Sequence, residues 1–312
     1  MIDLEFFPGW VRRSVTFTID DGNVRYDEKF LRIVRNGGIK GTFNLCSHNL
    51  SAFDKKGYRE FYDGYEIANH VKYHPGLMTR ELEKNLCNDD FNLASADPSK
   101  VYAYSENGRI VDGLYYVMEP RGWRLRATEK SYIQFIDESR TELEEVFGAG
   151  RVNGFVWPFH EQDSDVIKAH IADSGVYGAR RTGALCGRDG YLMPQDRMSW
   201  TYTVTDREIS QTAEEYFTLP DNGKLRFFAI GVHSIDFENS DSWGKLEDFT
   251  NKFGHRDEMF FFGTNEEIFA QEDAIRAAYT DGGRLFNPSD VHLWAKVDGE
   301  KVTVPPKSSI TL

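Results

Sequence analysis

Asp20 and Asp21 follow the β-branched and aromatic run 15–19, Asn69 and His70 follow 66–68, and His233 ends the apolar run 227–232. Such positions, just beyond the carboxyl ends of strands, are where α/β sheets build their sites. His74 stands four residues after His70, with Asn69 before the pair and Pro75 after it. That setting describes a shaped loop in which two imidazoles can share one cation. Adding a carboxylate, Asp21 or Asp20, gives a two-histidine, one-carboxylate face with room for water, the donor set of a hydrolytic divalent ion such as zinc. The other Asp would be placed to take a proton from water, its pKa held low by the cation's charge. His233 could then protonate a leaving amine. Each residue alone has a plainer reading, since Asp-Asp-Gly is a common turn and an apolar strand can end in a satisfied core histidine. Their coincidence at strand ends favours chemistry.

The elements that would hold these residues alternate between short β-branched or aromatic runs and amphipathic stretches, the βαβα rhythm of an α/β protein. Strands are expected at 15–19, Gly41–Leu45, 66–68, 152–157, 176–180 and 225–232, and helices at 27–36, 79–94, 132–147, 163–173 and 265–279. Gly37-Gly38 supplies a stop for the first helix. Between 98 and 126 the rhythm breaks into aromatic runs around Asn107-Gly108, which predicts an inserted β-region, a lid or an oligomer contact. Short strands around Asp298-Gly299 and Pro305-Pro306 predict a β-appendage at 286–312.

The 312 residues suffice for one large domain or two small ones and can bury roughly 75 % of the unfolded surface. Lys plus Arg number 37 against 50 Asp plus Glu, a net charge of −13 that repels phosphate backbones and anionic lipid. Nucleic acid and membrane insertion are therefore not expected, and no apolar run approaches the roughly 20 residues of a membrane span. Cys46, Cys87 and Cys186 are odd in number and widely spaced, which suits a reducing compartment rather than a disulfide framework. The opening MIDLEFFPGW lacks a basic-then-apolar leader, so a cytoplasmic location is expected. Arg180-Arg181 reads as a surface or substrate-facing pair.

Thr18-Ile19-Asp20-Asp21-Gly22, Gly41-Thr42-Phe43, Gly64-Tyr65-Glu66-Ile67-Ala68-Asn69-His70 with His74-Pro75, Phe155-Val156-Trp157-Pro158-Phe159 and the strand ending in His233 occur in an order that resembles the polysaccharide deacetylase family, carbohydrate esterase family 4 with its NodB-like homology domain. The resemblance spans about residues 14 to 280. It implies an α/β fold, a distorted (β/α) barrel over 1–285 with the insertion at about 98–126 and the appendage at 286–312. It also implies metal-dependent hydrolysis of a carbon–nitrogen amide bond, removing an acetyl or formyl group from an N-acyl sugar of a polysaccharide or its precursor. By the family pattern Asp20 is the base, Asp21, His70 and His74 hold a divalent metal, expected to be Zn²⁺, and His233 is the acid. Pro158, Trp157 and His160 would line the substrate, while the backbone N–H of Phe159 would help hold the oxyanion.

Three departures stand out. Val71 replaces a usual Ser or Thr, Val156 replaces an Arg that in many members pairs with the base, and His160 replaces a Gly. Asp196 and Trp200 loosely resemble the residues that orient the acid and line the acyl pocket. The expected partner is an N-acylated carbohydrate, with a homo-oligomer also compatible. The alternatives are an amidohydrolase acting on a small non-sugar amide or cyclic ureide, and a catalytically silent carbohydrate-binding relative.

Overall fold

The computed structural model describes residues 1–50, 54–160, 164–181 and 191–312; Cys186 and the side chain of His160 lie outside the described residues. After β1 (Ile2–Asp3) comes β2 (Arg13–Asp21), buried over residues 14–20 as an interior strand of an α/β sheet must be. Helix α1 (Val24–Arg35) buries Phe30, Leu31, Ile33 and Val34. Gly38 follows with φ 66°, a left-handed exit that glycine takes without strain. Strand β3 (Gly41–Leu45) is buried throughout, and α2 (Lys55–Phe61) leads to β4 (Glu66–Asn69).

The next stretch leaves the αβ alternation: β5 (Gly76–Leu77), α3 (Arg80–Glu83), β6 (Leu86–Cys87), β7 (Val101–Glu106), β8 (Arg109–Glu119) and β9 (Gly122–Ala127). The rhythm returns with α4 (Glu129–Phe147), whose N-cap Thr128 accepts from Ser131 N, then β10 (Gly154–Val156), α5 (Asp165–Asp173) and β11 (Gly178–Arg180). Beyond it lie α6 (Ile209–Thr218), β12 (Arg226–His233), α7 (Ser234–Asn239), α8 (Trp243–Phe253), β13 (Phe261–Phe262) and α9 (Asn265–Ala277), the last opened by a capping box between Thr264 and Glu267. Strands β14 (Tyr279–Asp281), β15 (Arg284–Asn287), β16 (Leu293–Val297), β17 (Glu300–Val304) and β18 (Ser308–Thr311) complete the chain.

The main sheet has seven strands in the order β11-β10-β4-β3-β2-β12, with β13 also on β2. Strands β12 and β13 run parallel to β2, and β10 runs parallel to β4 and β11. The fold is α/β on a curled sheet of parallel strands, the half-barrel form of the expected (β/α) barrel.

Contacts gather the described residues into two compact units, one of Met1–Phe43, Phe61–Glu66 and Ala184–Leu312, the other of Asn44–Glu60 and Ile67–Gly183. The first is cored by aromatic rings: Phe17 meets Phe30 at 5.1 Å and Phe249 at 5.7 Å, edge to face. Each such ring, fully buried, contributes about 2–3 kcal/mol. Its C-terminal strands share a cluster of Ala274, Leu285, Leu293, Ala295 and Val304, and β1 pairs antiparallel with β16.

The second unit carries a five-stranded sheet, β5-β9-β8-β7-β6. It reaches beyond the expected 98–126 because Gly76–Leu77 pairs with Arg126 and Ala127, and Leu86–Cys87 pairs with Val101 and Tyr102. The helix expected over 79–94 is confined to α3. Leu86 and Leu93 are exposed, so their helical spacing has no core to face, and strand pairing at Leu86–Cys87 takes the chain instead. Phe91 lies on the sheet, stacked on Tyr116 at 4.1 Å.

Candidate active site

Asp20, the penultimate residue of β2, is in register with His233 at the end of the neighbouring β12. It is 3 % exposed. Asp21, the next residue, turns into the left-handed region with φ 76° and has a half-exposed side chain. His233 is held twice by Asp236: its backbone N donates to Oδ2 at 3.0 Å and its Nδ1 lies 2.9 Å from the same oxygen. Its Nε2 lies 3.8 Å from Asp21 Oδ2. Burial opposes charge on this ring, but the Asp236 carboxylate, with Asp20 and Asp21 adding to it, lifts the His233 pKa to about 9. In return His233 holds the Asp236 carboxyl below its usual range in spite of burial. Asp27, on α1, accepts from Tyr62 OH at 2.7 Å; burial pushes its carboxyl up to about 7 although that hydrogen bond favours the charged form.

In the second unit His70 is 2 % exposed, and its Nδ1 lies 2.9 Å from the carbonyl oxygen of Val156. A carbonyl only accepts, so Nδ1 carries the proton and Nε2 is the lone-pair nitrogen, the orientation that a backbone carbonyl imposes on ligand histidines. Asn69 braces the turn, donating from Nδ2 to Ile136 O and accepting at Oδ1 from Val71 N. The following residues form the shaped loop: Val71 has φ 63° and His74 φ 52°, and the two imidazole rings lie 4.6 Å apart. Phe159, also left-handed at φ 54°, sets its ring edge-on to His74 at 4.5 Å. Left-handed backbone costs a non-glycine residue about 1 kcal/mol or more, and a β-branched valine most of all. Strain gathered at these positions, with Asp21 adding a fourth, is the mark of a backbone over-determined for function.

The other candidate residues sit on β10, on β11 and in the segments that follow these strands. Trp157 packs edge-on to Phe155 with its ring buried in the core, its N donating to Arg180 O at 2.9 Å, and Pro158 is buried beside it. The His160 side chain lies outside the described residues. Arg180 is 0 % exposed, which corrects the surface half of its reading as a surface or substrate-facing residue: it sits on the edge strand β11, in register with Val156. Asp196 Oδ1 accepts from Met198 N to cap a short turn, and Trp200 packs on Phe227 and Phe269. The residue that orients His233 is Asp236, which sequence reasoning did not assign. Its signal was its place at N3 of a helix that starts directly from the strand-end histidine.

Asp21 of the first unit and His70 and His74 of the second are the candidate metal ligands, and the two imidazoles lie 4.6 Å apart. Two neutral imidazoles and a carboxylate, one ring oriented by a backbone carbonyl, fit a divalent ion such as zinc. A family model for polysaccharide deacetylase matches residues 11–176. The chain belongs to the polysaccharide deacetylase family. It is a hydrolase, and the match contains Asp20, Asp21, His70, His74 and Phe159 but ends before His233. Similar solved structures include a peptidoglycan N-acetylglucosamine deacetylase, at 16 % identity over 82 % of this chain and 87 % of that one with a TM-score of 0.43. A family 4 carbohydrate esterase from Streptomyces lividans in complex with acetate matches at 12 % identity over 80 % and 91 % of the chains, TM-score 0.44. A family 4 acetyl xylan esterase from Clostridium thermocellum, in complex with a cobalt ion, matches at 14 % identity over 83 % and 91 %, TM-score 0.45. No curated protein matches the chain. No helix among the described residues is long and apolar enough to cross a membrane.

Proposed function

We propose that the protein hydrolyses the amide of an N-acylated sugar, releasing acetate or formate, with Asp20 as base, His233 as acid and a divalent cation held by Asp21, His70 and His74. The observation that carries this reading is the pair of imidazoles 4.6 Å apart in the histidine loop, with His70 Nδ1 held 2.9 Å from the carbonyl oxygen of Val156. When bound, the cation supplies Lewis-acid polarisation of the acyl oxygen and a more acidic water. Asp20 takes the proton from the attacking water, and the backbone N–H of Phe159 helps hold the oxyanion. His233, protonated at Nε2 and fixed at Nδ1 by Asp236, donates its proton to the departing nitrogen. The pKa of about 9 supports that role, because a ring in its ordinary range would be mostly neutral at pH 7.5. No covalent intermediate is needed.

The test is elemental analysis of tag-free protein alongside deacetylation of N-acetylated oligosaccharides. Wild type should hold about one divalent ion per chain. His70→Ala should lose both ion and turnover, and Asp20→Asn should keep the ion and lose turnover. Turnover that survives intact in both variants would overturn the assignment.

A further inference from the structure

The inserted sheet brings a cation to the histidine loop. Arg124, on β9, places its guanidinium carbon 5.5 Å from the centre of the Phe159 ring, and that same ring meets His74 at 4.5 Å. The neighbouring Arg126 is neutralised, with Nε 2.6 Å from Glu119 Oε1 and Nη1 3.3 Å from Leu77 O. Glu106, on β7, is taken by His48 and by the hydroxyl of Tyr73, each at 3.2 Å. The Arg124 guanidinium has no carboxylate or carbonyl partner among the described residues; its contact is the ring face. In a chain of net charge −13, an arginine on a strand that has no carboxylate partner among the described residues, beside a paired neighbour, keeps its donors available for an anion. Its backbone is fixed by pairing with Val117, and its side chain is steered by cation–π attraction to Phe159. The planar guanidinium has its donors arranged as a fork that matches a carboxylate or a phosphate.

We propose that Arg124 recognises an anionic group, carboxylate or phosphate, on the N-acylated sugar bound beside His74 and Phe159. The preferred substrate is then an acidic N-acyl sugar rather than a neutral one. The proposal rests on the deacylase reading for its substrate but not for its test, which includes binding without turnover.

Three derivatives of N-acetylglucosamine separate the cases: the neutral methyl glycoside, the 1-phosphate and the 3-O-lactyl ether, which carries a carboxylate. For metal-loaded wild type, Arg124→Gln and Arg124→Lys, both kcat/KM and calorimetric affinity are measured on each, the affinities in an Asp20→Asn background. Wild type should favour at least one anionic derivative over the neutral one by about tenfold or more, the yield of one charge-assisted contact. Arg124→Gln should bring that ratio to about one, and Arg124→Lys should restore part of it. Whether the phosphate or the carboxylate gains identifies the source of the anion. An Arg124 that merely props Phe159 would lower all three substrates alike and leave the ratio intact, and that result, or a wild type without preference, overturns the proposal. If no derivative is turned over, the deacylase reading fails, and the affinity ratio alone still decides the role of Arg124.

Discussion

Asp236 reaches His233 at two atoms, and this double hold fixes both the rotation of the ring and its charge. If His233 must be protonated to act, the rate falls on the alkaline side as pH rises through its pKa of about 9. Asp236→Asn removes the carboxylate that lifts the pKa while keeping the shape. The alkaline limb should then move toward neutrality, and the rate at pH 8 should drop by about tenfold while the rate near pH 6 changes less. A pH–rate profile checks this: a variant that is slower at every pH with an unmoved limb assigns Asp236 a structural role only. At this scale the shaped loop that carries the histidine pair was legible, because Asn69 before it and Pro75 after it rule out a plain exposed helix. Asp236 was not, because a helix-capping carboxylate and an imidazole partner look alike until the ring is seen to turn toward it. Arg180 escaped for a related reason: two adjacent arginines read as a surface or substrate-facing pair, and only the strand pairing of Gly178–Arg180 with β10 reveals a buried position.

Strands β2, β3, β4 and β12 were legible as elements, since short runs rich in β-branched, aromatic and aliphatic residues stop where polar turn residues begin. Helices α6, α7 and α8 were not assigned, although α8 buries Trp243, Leu246, Phe249 and Phe253 at helical spacing. Gly244 and the charges between those residues dilute the signal in a single sequence. The strand that delivers His233 has a weak point two residues earlier. A Cβ added at Gly231 would lie 2.1 Å from Tyr202 Cδ1 and 2.3 Å from its Cγ, so the ring must shift. Gly231→Ala is therefore expected to cost about 1–3 kcal/mol, the usual range for overpacking a filled core. Denaturant unfolding reads that loss directly, and a midpoint equal to wild type would mean the ring has room to move. Because the shift falls within two residues of His233, activity should suffer beyond the loss of folded protein.

For the molecule as a whole, Asp27 ties stability to pH. Its carboxyl, pushed from 3.8 to about 7 by burial, keeps in the folded state a proton that the unfolded chain gives up. The stabilisation is full below about pH 4, declines as pH rises and is gone above about pH 7, a span of roughly 4 kcal/mol. Asp27→Asn mimics the protonated form at all pH values. Its melting temperature, relative to wild type, should rise between pH 5 and pH 8, and a difference constant with pH would place the Asp27 carboxyl in its ordinary range. Such couplings are invisible in composition, which supplied only the net charge of −13.

The pairing of β1 with β16, joined by an ion pair between the Met1 amino group and Asp298 and by Trp10 packed edge-on to Trp294 at 4.5 Å, sets a timetable for synthesis. Ile2–Asp3 is made almost three hundred residues before its partner Leu293–Val297. At translation rates of about 5–20 residues per second, this edge waits on the order of 15–60 s unpaired. Its shortness, two residues with Pro8 soon after, keeps it from recruiting a wrong strand in the meantime.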